Sequence, residues 1–244
     1  MKTNKLYIGC SSFSVGYWKG IFYPENLPSK DYLSYYAAHL KAIEINSTFY
    51  RKPTAKTLEK WKESTPDDFK FFIKIPKTIT HISRLEDTFE MTANFCKHIA
   101  DGLQDKLAGF LFQLSPSFKN TPENLEKVVK TVDHRFLNVV EFRHESWWNS
   151  EIQNTLKENN IIFCGVSIPK NIPDDFISNN ECFAYYRLHG VPEMFKSSYS
   201  EEQLQKLAND LENFKGTLFI FFNNTYGTAG IKNALHLQHI SSDG

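Results

Sequence analysis

Val139-Val140-Glu141-Phe142-Arg143-His144-Glu145-Ser146-Trp147-Trp148 is the stretch that decides how this chain is read. An apolar, β-branched run ends in a carboxylate, a guanidinium and an imidazole. Ser150-Glu151-Ile152-Gln153 follows, and it fits the capping-box pattern of a helix start. Packing alone does not call for charges at the end of a buried strand. A strand that ends in reactive side chains and runs into a helix is the repeating unit of an α/β fold.

Outward from that unit, the pattern recurs. Apolar, β-branched or aromatic runs bounded by turn residues predict eight strands, at 6–9, 42–46, 69–75, 109–113, 137–142, 161–167, 182–188 and 217–222. Helical stretches fall between them at 29–38, 55–63, 88–101, 122–132, 151–158 and 201–214, and a last one runs from about 228 to 239. Thr121-Pro122 reads as an N-cap with proline at the first helical position, and Ser200-Glu201-Glu202-Gln203 as a second capping box. The segment 169–180 contains prolines and no helical pattern. Eight alternating units predict an α/β fold, a single (β/α)8 TIM barrel spanning 1–244, with an irregular βα unit between strands 6 and 7. A doubly wound open sheet is the alternative, but no Rossmann or P-loop glycine pattern supports it.

Alternation locates the chemistry. Side chains two apart on a strand share a face and lie roughly 6.6 Å apart. Glu44 shares a face with Asn46, Phe72 with Lys74, Glu141 with Arg143, and Tyr185 with Arg187 and His189. The opposite faces are apolar and suit a helical shell. Polarity is concentrated toward the carboxyl ends, where TIM-barrel active sites lie. These residues are therefore expected to converge on one pocket.

Glu44, Glu141, Lys74 and His189 are the candidate catalytic groups, since carboxylates, an amine and an imidazole can each move a proton. Arg143 and Arg187 suit recognition of a carboxylate or phosphate. Asn46, Gln113, Asn223, Asn224, His81 and His144 add hydrogen-bonding groups near strand ends, and Trp18 and Trp147 offer apolar walls for a ring. A buried ion-pair network that only fills the barrel is the competing reading. It would have to pair every charge, because unpaired buried charge is costly.

Composition narrows the class. Lys plus Arg equals Asp plus Glu, 28 against 28, so no net field draws in polyanions or membranes. This argues against nucleic acid as a partner. Arg51, Lys52, Lys77 and Arg84 are the exposed basic candidates, read as a solvated face. Four widely spaced cysteines without a C-x-x-C pair argue for reduced thiols, and no apolar run reaches membrane-spanning length. The expected location is the cytoplasm. The sequence does not specify an oligomeric state.

At these residues the chain resembles the YecE-like family, also called domain of unknown function seventy-two. The matching segments run in order: Gly9-Cys10-Ser11-Ser12 with Trp18 and Phe22-Tyr23-Pro24, Glu44-Ile45-Asn46-Ser47-Thr48-Phe49-Tyr50, Phe72-Ile73-Lys74-Ile75-Pro76 with Thr80-His81, and Phe112-Gln113-Leu114-Ser115-Pro116-Ser117-Phe118. Glu141 to Trp147, Tyr186-Arg187-Leu188-His189-Gly190 and Phe221-Phe222-Asn223-Asn224 with Ala229 and Asn233 complete the set. The resemblance implies a TIM barrel and brings no settled activity. One departure stands at Ser167, where the resemblance leads one to expect aspartate.

The favoured function is an enzyme using acid/base chemistry on a small anionic substrate, phosphorylated or a carboxylate. No cofactor is indicated and no metal ligands are assigned. A metal-dependent phosphodiesterase, nuclease or sugar isomerase is the first alternative, with a divalent ion on Glu44, Glu141, His144 and His189. Lys74, Arg143 and Arg187 would repel that ion. A non-catalytic module that binds an anionic metabolite is the second.

Overall fold

Strands and helices alternate as the hydrophobic pattern dictates, in a computed structural model that describes residues 5–174 and 176–241. The strands are β1 (Lys5–Cys10), β2 (Ala42–Ile45), β3 (Lys70–Lys74), β4 (Leu107–Gln113), β5 (Asn138–Glu141), β6 (Ile161–Phe163), β7 (Gly165–Ser167), β8 (Phe183–Leu188) and β9 (Thr217–Phe222). The helices are α1 (Tyr32–His39), α2 (Ala55–Glu63), α3 (Phe89–Leu103), α4 (Pro122–Thr131), α5 (Ser150–Glu158), α6 (Glu201–Glu212) and α7 (Ala229–Ile240). None of the helices in the described residues is long and apolar enough to cross a membrane.

All pairings are parallel, in the order β6-β5-β4-β3-β2-β1-β9-β8-β7. The result is a nearly closed α/β barrel. Its ends, β6 and β7, are consecutive pieces of the sixth predicted strand, divided at Cys164. The first piece pairs with β5 and the second with β8. Asn179 lies beside the break: its Oδ1 accepts from Phe163 N at 2.9 Å and its Nδ2 donates to Ile161 O at 2.9 Å. It belongs to the segment between β7 and β8, which carries no helix among the described residues, as the prolines there predict.

Two apolar layers follow from strand alternation. Phe72, Leu111, Val139, Ile162, Tyr185 and Phe219 fill the barrel interior. Ile43, Phe71, Ile73, Phe110, Val140 and Phe142 face the helices. Each of these side chains is less than 5 % exposed, so the sheet is buried on both faces, as parallel sheets are. Gly9 is required where β1 meets β2, because a Cβ there would stand 2.0 Å from the Ala42 carbonyl oxygen.

The helix starts are locally encoded. Ser200 and Gln203 form the expected capping box of α6, and Thr121 caps α4 ahead of Pro122. For α5 the cap is Asn149, whose Oδ1 accepts from Ile152 N at 3.0 Å, while Ser150 is the first helical residue. Asparagine is as good an N-cap as serine, and here it stands one position earlier.

Candidate active site

Glu44 from β2, Glu141 from β5 and Arg187 from β8 meet inside the barrel at the carboxyl ends of their strands. All three are fully buried. Arg187 spans the two acids: Nη2 lies 2.5 Å from Glu44 Oε1 and Nη1 hydrogen-bonds Glu141 Oε2. Ser11 Oγ also donates to Glu44 Oε1, at 2.7 Å, and the Tyr185 hydroxyl donates to Oε2 at 2.5 Å. Arg143 Nε takes the remaining Glu141 oxygen, Oε1.

Burial would push the Glu141 carboxyl up, but Arg143 and then Arg187 outweigh it and hold the group well below the usual carboxylate range. Arg187 obeys the converse logic. Burial disfavours its charge, and Glu141 and Glu44 more than restore it. The buried floor is thus a guanidinium bridge from β8 to two carboxylates on β2 and β5, strands separated by β3 and β4.

Above that floor lies a ring of polar groups, with His189 and Lys74 buried and Asn46, His81, Gln113 and Asn223 partly exposed. His189 Nε2 lies 3.2 Å from Arg143 Nη2 and 3.3 Å from Glu141 Oε2, and its Nδ1 lies 2.9 Å from Asn223 Nδ2. Asn46 Nδ2 donates onward to Asn223 Oδ1 at 3.4 Å. Burial and then Arg143 push the imidazole down to about 3, so it is neutral at ordinary pH. A neutral ring carries one proton for two nitrogens; with Asn223 Nδ2 donating to Nδ1, that proton sits on Nε2 and faces Glu141 Oε2.

Lys74 approaches from β3. Its Nζ donates to Gln113 Oε1 at 2.8 Å and lies 4.3 Å from the centroid of the Phe49 ring. Burial, followed by repulsion from Arg187, lowers its pKa to about 8, with the two carboxylates acting in the opposite direction. Gln113 Nε2 reaches toward His81 Nε2 at 3.5 Å, and His81 is itself lowered by burial and by Lys74. Ten of the candidate residues thus gather at the mouth in two hydrogen-bonded groups, Glu44, Asn46, Glu141, Arg143, Arg187, His189 and Asn223 in one and Lys74, His81 and Gln113 in the other, with Lys74 coupled electrostatically to the first.

Four candidates stand apart. Trp18 is fully buried against Tyr36, with its indole nitrogen donating to Gly227 O at 2.9 Å. Trp147 is also fully buried, stacked on Phe142 and donating to Phe118 O at 2.7 Å. Both rings belong to the layer between sheet and helices and form no wall of an open pocket. His144 points its Nδ1 at the backbone N of Ser146, 3.1 Å away, and caps a short 3-10 turn. Asn224 is fully buried and ties the loop after β9 to Ser197 O and Asn233 Oδ1.

Two contributors escaped the sequence-based selection. Tyr185 shares the inward face with Arg187, a signal that was legible, but its hydroxyl contact with Glu44 spans 141 positions. Ser11 lies just beyond β1 and reaches the same carboxylate across 33. Ser167 faces the helical shell while Val166 fills the barrel interior, and its Oγ donates to Asp174 Oδ2 at 2.9 Å. A carboxylate does stand beside that position, supplied by the following segment.

A parallel α/β barrel with polar groups gathered at the carboxyl ends of its strands defines a TIM-barrel-like protein. Comparison with known proteins then gives the family. The model described as "Protein of unknown function DUF72" matches residues 7–243, and the chain belongs to that family. It is 26% identical over 239 residues to UPF0759 protein YunF of Bacillus subtilis, with 84% of each chain covered. Against UPF0759 protein YecE of Escherichia coli it is 30% identical over 128 residues, 51% of this chain and 46% of that one. The crystal structure of a DUF72 family protein from Thermotoga maritima superposes with a TM-score of 0.88 at 31% identity, covering 98% of this chain and 99% of the other. The resemblance carried by the ordered motifs and the barrel fold are both established by these matches.

Proposed function

We propose that this protein is an enzyme that performs acid/base chemistry on a small anionic substrate at the carboxyl-terminal mouth of the barrel. The observation that carries the reading is the environment of Lys74. Its amine is paired with a neutral amide and not with a carboxylate, and its pKa of about 8 makes it a proton carrier near physiological pH. Glu44 and Glu141 are saturated by Arg187, Arg143, Tyr185 and Ser11, so they act as the frame that fixes the guanidinium groups. With Lys74 protonated, three cations (Lys74, Arg143, Arg187) face two carboxylates, and the surplus charge favours an anion.

Arg143, with Gln113, Asn46 and Asn223 around it, would hold the anionic group, and Lys74 would give or take the proton. The Asn46 Oδ1 and Arg187 Nε atoms are buried and make no hydrogen bond to protein, which leaves capacity for a ligand. The same carboxylate saturation weighs against the metal-dependent alternative, since a divalent ion would have to displace arginines from Glu44 and Glu141. Among the described residues no group of three or more His, Cys, Asp or Glu stands together as a metal site.

The test is a panel of phosphorylated sugars, small carboxylates and neutral and cationic analogues of each, followed by thermal shift and by turnover. Binding and turnover of an anionic member are expected in the wild type. Lys74→Arg should keep binding and lose at least ~100-fold in turnover. A panel in which only neutral or cationic compounds bind would sink the reading, as would full activity of Lys74→Arg.

A further inference from the structure

Outside the barrel mouth, the loops after β2 and β3 and the first half of α3 enclose a groove of about 370 Å³. That volume lies at the small end of the range for ligand pockets, roughly 300–1,000 Å³. Buried Ile79 and Phe95 form its floor and half-exposed Met91 one side. Phe49 and Tyr50 form an aromatic wall, their rings edge to face at 5.1 Å, and Tyr50 remains 75 % exposed. Arg51, Lys52 and Lys77 line the same groove. No ion pair joins any of the three to an acid among the described residues, whereas Lys41, Lys97, Lys127 and Lys130 each hold a carboxylate. Lys77 instead lies over the Tyr50 ring, 5.6 Å from its centroid.

An exposed aromatic side chain over an apolar floor gains free energy when a ring covers it, and three uncompensated cations at the edge select the charge of what arrives. We propose that this groove is a second binding site, one that takes a small anion carrying an aromatic ring, such as an aryl phosphate. The ring packs on Ile79, Met91 and Phe95, and the acidic group meets Arg51, Lys52 and Lys77. The site is distinct from the barrel mouth and does not depend on the function proposed there. Phe49 is the ring the two share, with the Lys74 amine over it and the groove alongside.

The chain has three methionines, which makes the test direct. Met91 lines the groove, and Met194 packs against the barrel-interior cluster beside the mouth. Protein labelled with carbon-13 at the methionine methyls is titrated with phenyl phosphate and, separately, with inorganic phosphate, and Met91→Leu assigns the groove signal. Saturable movement of the Met91 signal by phenyl phosphate is expected, at least ~10-fold tighter than by inorganic phosphate. Combining Arg51→Ala, Lys52→Ala and Lys77→Ala, all on exposed side chains, should abolish it and leave any response of Met194 as it was. An unmoved Met91 signal overturns the proposal, and so does equal titration in the triple variant. Movement of Met194 alone overturns it while leaving anion binding at the barrel mouth intact.

Discussion

Lys74 on β3 donates its ammonium proton to Gln113 on the adjacent strand β4, Nζ to Oε1 at 2.8 Å, where a carboxylate would have made an ordinary ion pair. The neutral partner lets burial dominate and keeps the amine near 8. Gln113→Glu should raise the Lys74 pKa by at least ~1 unit. The alkaline limb of the pH–rate profile should move by the same amount. Resonances of the Lys74 side chain followed against pH check it independently of any substrate, and an unchanged titration would refute the role given to Gln113.

Lys74 also sets an alkaline slope in stability. Its folded pKa, about 8, lies below the ordinary lysine value of 10.5, so between those values the unfolded chain holds more protons. Stability from this group therefore rises as pH increases from about 8 to about 10.5, by on the order of 3 kcal/mol. Lys74→Met should flatten that slope and stabilise the protein at pH 7. Urea unfolding of both proteins at pH 7, 8.5 and 10 measures it.

On the acid side the sign is the same, because these groups too bind their protons less tightly folded than unfolded. His189, lowered from 6.5 to about 3, and Glu141, held well below 4.5, both release protons more readily folded than unfolded. Their contributions are complete above about pH 6.5 and are lost as pH falls, first for His189 and then for Glu141. His189→Gln should remove the decline between pH 6.5 and 4.5 while leaving the steeper loss below it. Chemical unfolding across pH 3 to 7 distinguishes the two limbs.

Arg187 bridges two acids, so its removal should be worse than theirs. Arg187→Met leaves Glu44 with no cationic partner and Glu141 with Arg143 alone, and is expected to destabilise by about 3–5 kcal/mol. Adding Glu44→Gln to that variant should recover part of the loss, because one stranded charge disappears. Additive losses in the double-mutant cycle would mean that the bridge is not the coupling unit.

Much of this was written in the chain. The end-loaded polarity of 42–46, 137–142 and 182–188 placed Glu44, Glu141, Arg187 and His189 together, because a period of two leaves no freedom once one face is known to be apolar. Trp18 and Trp147 were harder. A tryptophan just past a strand carries no mark of whether it turns toward the mouth or back into the shell, and packing against Tyr36 and Phe142 decided the matter. His144 and Asn224 were lost for a related reason, since backbone groups of their own loops compete for their polar atoms. The break at Cys164 has no local signal at all. The run 161–166 carries no charged or hydrogen-bonding side chain beyond a thiol, and only closure of the ring, with different neighbours on either side, divides it.

That division has a mechanical consequence. Elsewhere around the barrel, neighbouring strands are joined by ladders of backbone bonds, β7 to β8 included, but among the described residues β6 is tied to the segment before β8 by the side-chain amide of Asn179. The ring is therefore closed by one continuous strand whose second half carries the ladder to β8, and only along its first half does a side chain stand in for backbone bonds. Slow deuterium uptake around the ring, interrupted by fast uptake at Phe163, would be the mark of such a seam. The barrel is in this sense a closed ring with a half-length seam pinned by one amide.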